Sequence, residues 1–135
     1  MYQNILIPVL LDEDHHNTVS FDVARKLANS DAKFTILHVI EPIPGYVISQ
    51  IPEDVQRSNR KERETTMSRM AQDLLGSEAK IVSGHAGRTI VDYAKSHEID
   101  CIIVASHRPG IGDFFLGSTA ARVVRHANCS VHVIR

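Results

Sequence analysis

Gly117, Ser118 and Thr119 combine a glycine that admits close backbone approach with two hydroxyls at the start of a helical pattern. They close a loop, Ser106-His107-Arg108-Pro109-Gly110-Ile111-Gly112-Asp113-Phe114-Phe115-Leu116, that follows the apolar run Cys101-Ile102-Ile103-Val104-Ala105. A strand, a glycine-bearing loop and a helix start are the parts of a phosphate site. The unpaired N–H groups, the positive end of the helix dipole and the hydroxyls all favour an anion there. Arg108 can add a charge-assisted contact, with His107 beside it. Read locally, the same residues also describe a plain helix start capped by Ser118 or Thr119 and preceded by a solvent-facing loop.

Other chemistries find less support. The first apolar run is followed by Leu10, Leu11, Asp12, Glu13 and Asp14 without a glycine, which disfavours a GxGxxG dinucleotide site. Gly112 to Ser118 reads GxxxxGS but lacks the lysine of a P-loop. Hydrolysis needs a water-orienting carboxylate, a metal clamp or a lysine at the γ-phosphate, and the loop supplies His107, Arg108 and Asp113. Efficient catalysis is therefore not expected. The eight histidines, at 15, 16, 38, 85, 97, 107, 126 and 132, include no i, i+4 pair, so no metal site is expected. His38 reads as a hydrogen-bonded core residue. Cys101 and Cys129 each open a predicted buried strand and act as small hydrophobes without a disulfide.

The elements that must position these residues alternate along the chain. Ile5 to Val9 reads as a strand buried on both faces. A helix from Asn17 to Ala28, capped by Asn17-Thr18 and stopped by Asn29, buries Val19, Val23, Ala24 and Leu27. Phe34 to Ile40 is a second strand, and the prolines and glycine between Pro42 and Pro52 exclude regular helix and leave an apolar loop that must pack on something. A long charged helix follows with the stripe Thr66, Met67, Met70, Ala71, Leu74 and Leu75. Ala79 to Ser83 is the third strand. A short helix then uses Ile90, Val91 and Ala94, Cys101 to Ala105 is the fourth strand, Gly117 to Ala127 the last helix and Cys129 to Ile134 the last strand.

Strands alternating with helices through long connections predict an α/β fold, one open five-stranded parallel sheet with helices on both faces. Ligands of such sheets bind beyond the strand carboxyl ends at the switch point, here Pro8 to Leu10 and Ala105 to Arg108. The 135 residues with 43% apolar content suit one domain, 1–135, and the formal charge of −1 gives no footprint for nucleic acid or an anionic membrane. Met1 to Val9 is too short for a secretory segment and no run approaches a membrane span, so a cytoplasmic protein is expected. The final strand, left at a sheet edge, invites pairing with a second copy.

As a set, Ile5-Leu6-Ile7-Pro8-Val9, Leu37-His38-Val39, Gly84-His85-Ala86, Ala105-Ser106-His107-Arg108-Pro109, Leu116-Gly117-Ser118 and Val123 to Val131 resemble the universal stress proteins, in the branch with a SHRP loop. ATP-binding members carry GxxGx9G[ST] after the fourth strand. The resemblance covers essentially the whole chain and implies a Rossmann-like fold of the adenine nucleotide alpha hydrolase-like type. It implies ATP or another adenine nucleotide, with Pro8, Val9 and Val39 bordering adenine and ribose. Ala105, His107, Arg108, Gly117, Ser118 and Thr119 would surround the phosphates. It also implies a homodimer through the strand Cys129 to Ile134. The chain departs from the pattern at Ala105 and Arg108, which replace two motif glycines, in an interval to Gly117 one residue short, and at Leu10 in place of an acidic residue. Leu10 cannot bind Mg²⁺, for which Asp12 is the nearest substitute. The expected function is a nucleotide-binding stress or regulatory domain. The alternatives are an interaction module with a decayed site and a slow ATPase.

Overall fold

The computed structural model describes residues 1–11, 14–106 and 116–135, with the side chains of all but 14–16 among them. The strands are β1 (Tyr2–Pro8), β2 (Ala28–Ile40), β3 (Ser77–Ser83), β4 (Cys101–Ala105) and β5 (Ser130–Ile134). Between them lie α1 (Asp14–Leu27), α2 (Gly45–Ile48), α3 (Glu53–Asp73), α4 (Ala86–Ser96) and α5 (Ser118–His126). The strands form one parallel sheet in the order β3-β2-β1-β4-β5. The chain steps outward from β1 to β3, then returns across β1 to build β4 and β5. Right-handed crossovers therefore place α1 and α3 on one face and α4 and α5 on the other.

Two cores follow from the pleat. Ile5, Ile7 and Val9 join Ile36, Ile103, Phe21, Met67 and Met70 on one face. Leu6, Leu37, Ile102 and Val104 join Ile90, Val91, Ala94, Ala120 and Val123 on the other. Burial of both faces explains why β1 and β4 read as unbroken apolar runs. Gly87 lets α4 approach α5, since a Cβ there would stand 2.7 Å from Arg122 Cδ. At the opposite end of the sheet, Asp100 accepts from the amides of Gln3 at 2.8 Å and Asn4 at 3.0 Å, which fixes β1 against the start of β4.

Several boundaries differ from the sequence expectation. Asn17 does not cap α1. It lies within the helix, buried, and Asn29 belongs to β2, which runs on from Ala28. The Pro42 to Pro52 segment holds one helical turn, α2, because its prolines flank the turn and Pro44 needs no N–H at its N-cap. That segment does not pack away its apolar groups: Ile43, Tyr46, Val47 and Ile48 are exposed. Leu75 is 93% exposed because α3 ends at Asp73 and Leu74, its C-cap, turns into the core in extended conformation. Among the described residues, no helix is long and apolar enough to cross a membrane.

Both cysteines are free. Cys101 packs into the core beneath α1, whereas Cys129, half-buried and just before β5, packs on the α4–α5 face. Burial, then the neighbouring Cys129 and Asp100, pushes the Cys101 thiol up to about 11, and burial also raises Cys129. At pH 8 both thiolates are suppressed, Cys101 more completely. Alkylation followed by mass spectrometry should modify Cys129 before Cys101 in native protein, with Cys101 reacting on unfolding. A mild oxidant should yield no intrachain disulfide, and a native monomer lighter by two hydrogens would contradict the placement of the thiols on opposite faces.

Candidate functional site

The switch point falls between β1 and β4, whose register pairs Ile5 with Cys101 and Leu6 with Ile102. Their carboxyl ends, Pro8-Val9 and Ala105-Ser106, therefore share one end of the sheet. Pro8 is half-buried and opposite Leu37. Val9 continues the ladder, its amide donating to the Leu37 carbonyl at 2.9 Å. Val9 faces the α1–α3 core while Val39, one strand over, faces the α4–α5 core. A group bordered by both meets at least one of them through backbone.

Two side chains shape the turn out of β1. His38 Nδ1 lies 3.1 Å from the Val9 carbonyl and, because a carbonyl only accepts, carries the proton. Asn17 Nδ2 donates to the Leu10 carbonyl at 2.9 Å. Consecutive carbonyls are thus held from β2 and from α1. The expected hydrogen-bonded histidine has its partner in Val9. Asn17, read as a cap, is instead an anchor, and the signal was available in its i, i+4 and i+7 alignment with Phe21 and Ala24 on the buried stripe.

The end of β4 meets the start of α5. The Ser106 amide donates to the Ile134 carbonyl at 2.8 Å, extending the β4–β5 ladder by one residue, and Ser106 is fully buried. A Cβ on Gly117 would stand 2.8 Å from the Ser106 carbonyl oxygen. Gly117 is the N-cap, and its carbonyl accepts from Ala121 at 2.9 Å. Neither Ser118 nor Thr119 is the N-cap: among the described residues no side chain caps α5, whose N-cap Gly117 has none to offer, and its first turn holds no acid. Its first amides are therefore the donors an anion would meet.

The neighbouring helix starts differ. His85 accepts from the Arg88 amide at 3.4 Å and Glu41 from the Ala86 amide at 3.5 Å, so α4 is capped by protein groups. Glu53 and Asp54 occupy the first turn of α3. Ala105, Gly117 and Thr119 are half-buried and Ser118 is exposed. His107, Arg108 and Asp12 lie outside the described residues. Leu10, at the position of the family's acidic residue, is 42% exposed and offers a metal nothing, and no group of three or more His, Cys, Asp or Glu among the described residues can hold one. A cleft of about 330 Å³ opens elsewhere, between α1 and α3, lined by Asn17, Thr18, Phe21, Arg25, Arg69 and Asp73.

Because the atom facing Gly117 is backbone, Gly117→Ala must move the start of α5 or the end of β4. It should lower stability by about 1–3 kcal/mol in urea unfolding, and an unchanged midpoint would show that the junction is not tight.

The model of the Universal stress protein family matches residues 1–135. Universal stress protein A homolog 2 of Coxiella burnetii is 31% identical over 140 residues, covering 99% of this chain and 95% of that protein. Universal stress protein UspA from Lactobacillus plantarum superposes with a TM-score of 0.72 at 28% identity, covering 99% of this chain and 98% of that one. The universal stress protein from Archaeoglobus fulgidus, solved in complex with dAMP, superposes with a TM-score of 0.68 at 18% identity, covering 99% and 98%. With Gly117 opening α5 at the switch point of a 3-2-1-4-5 sheet and a family match along its whole length, this chain belongs to the universal stress protein family.

Proposed function

We propose that the chain is a cytoplasmic regulatory domain that binds ATP at the switch point without efficient turnover. The acid-free start of α5, which no side chain among the described residues caps, carries the reading, because the other long helix starts with described side chains are capped or acidic. Phosphates would sit against Gly117, Ser118, Thr119 and Ala105, joined by His107 and Arg108. Adenine and ribose would sit against Pro8, Val9 and Val39. Supporting this ligand class, the Archaeoglobus fulgidus relative holds dAMP, another solved universal stress protein holds cAMP and one from Arabidopsis thaliana has AMP bound. Leu10 does not fit a metal ligand, so the phosphate charge is balanced here by helix N–H groups and Arg108.

Calorimetric titration with ATP, with and without Mg²⁺, should give about one site per chain. Ser118→Asp separates binding from folding. A carboxylate at that position suits the helix dipole and should leave stability unchanged or raised by about 0.3–1 kcal/mol. The same charge should repel phosphate and weaken ATP binding tenfold or more. Unaltered affinity in Ser118→Asp, or absence of both heat and thermal stabilisation at millimolar ATP, would contradict the proposal.

We also infer a homodimer through β5. The sheet has two edges, and β3 is protected by Glu78 and Lys80, an exposed pair 3.9 Å apart. The β5 edge, Ser130-Val131-His132-Val133-Ile134, has neither Asp, Glu, Lys or Arg nor proline to discourage pairing. Cys129, expected within the strand, lies just outside it. Val131→Lys and Val133→Lys should shift the sedimentation mass to monomer while circular dichroism stays native. A dimer surviving both would rule this edge out.

A further inference from the structure

We propose that residues 41–56 form a docking surface for a segment of another protein that is apolar on one face and bordered by Lys or Arg. Every residue from Glu41 to Gln50 is exposed, and α2 buries none of its side chains. Ile43, Tyr46, Val47, Ile48 and, in the first turn of α3, Val55 leave 37% to 74% of their surface in water. A single exposed apolar residue is ordinary, but five this close in sequence make a patch of the kind that marks an interaction site. Tyr46, the most exposed of them, suits that role, since tyrosine supplies a large contact area with few torsions to order.

The patch is held in place without being covered. The Val47 and Ile48 amides donate to the Pro44 carbonyl at 2.9 and 3.0 Å, and the Ser49 hydroxyl donates to the Tyr46 carbonyl at 3.1 Å. Gln56 donates through Nε2 to the carbonyls of Ile48 at 3.1 Å and Ile51 at 2.9 Å, which fastens α2 to the start of α3. Pro42, Pro44 and Pro52 fix the backbone torsion φ on either side. A partner therefore meets apolar groups whose backbone is already ordered, which lowers the cost of binding. The border of the patch selects the partner. From Glu41 to Gln56 the charged residues are Glu41, Glu53 and Asp54, with no Lys, Arg or His among them. All three are exposed, and none forms an ion pair with a described residue. The next cations along the chain, Arg57, Arg60 and Lys61, stand beyond Gln56 on α3. A second copy would set like carboxylates against each other, and an anionic bilayer would add its own negative charge. Lys or Arg beside an apolar face complements both the patch and its border.

Fluorescence anisotropy of a labelled synthetic helix with Leu on one face and Lys on the other, titrated with the full chain, tests the proposal. The peptide should bind in the micromolar range. Affinity should fall about tenfold or more when Glu replaces Lys in the peptide, or when the protein carries Tyr46→Ser with Val47→Ser. Glu53→Gln with Asp54→Asn should weaken binding several-fold. Both variants should keep the native circular dichroism spectrum, because the replaced side chains are exposed. Amide shifts on adding the Leu–Lys peptide should centre on Tyr46, Val47 and Ile48. No binding, equal binding of the Glu peptide, or full affinity in Tyr46→Ser with Val47→Ser overturns the proposal. A sedimentation mass that falls in that variant would show that a second copy covers the patch, and Tyr46-dependent flotation with phosphatidylserine vesicles would show that a membrane does. Either result also overturns it.

Discussion

The Ser106 carbonyl oxygen lies 2.8 Å from where a Cβ on Gly117 would stand, so α5 starts against the end of β4 only because residue 117 has no side chain. That contact is held from both sides. The Ser106 amide is tied to Ile134 in β5, and Ala120 and Val123 anchor α5 in the core. The first turn of α5 is thereby brought to the end of β4, its amides capped by no side chain among the described residues. The wider fold serves this arrangement: Asp100 sets β1 against β4 at the far end, and Gly87 lets α4 support α5.

A division of labour between the helix starts gives the site its direction. α4 spends its first amides on His85 and Glu41, and α3 places Glu53 and Asp54 where an anion would otherwise settle. Beside them, α5 offers first-turn amides that no side chain among the described residues caps, and two hydroxyls. The chain leaving β1 is held in a different way, His38 and Asn17 donating to the Val9 and Leu10 carbonyls. Backbone held in this way can present a fixed edge to a flat base without any charged side chain.

The fold was legible wherever burial left a strong pattern. β4 was readable to the residue and α5 to within one residue at each end, because an unbroken apolar run marks the strand and a 3.6-residue stripe behind Gly117 marks the helix. The start of α1 was misread because Asn17 suits both an N-cap and a buried anchor; its alignment with Phe21 and Ala24 favoured the anchor, and the tertiary contact to Leu10 decides it. Apolar content alone also misled at Ile43 to Ile48 and at Leu75, which are exposed. Composition cannot say whether an apolar side chain has a neighbour to cover it. Of the site, Gly117 to Thr119 were legible by type and spacing. The opposed directions of Val9 and Val39 and the positioning role of His38 depend on strand pairing, which sequence periodicity leaves open.

Backbone amide chemical shifts of the labelled protein, followed while ATP is added, test the central claim most directly. The account predicts the largest shifts at Ser118, Thr119 and Ala120, with a second group at Val9 and Leu10, and loss of the first group alone when adenosine replaces ATP. Shifts confined to the α1–α3 cleft around Arg25 and Arg69, with the α5 amides unmoved, would contradict it.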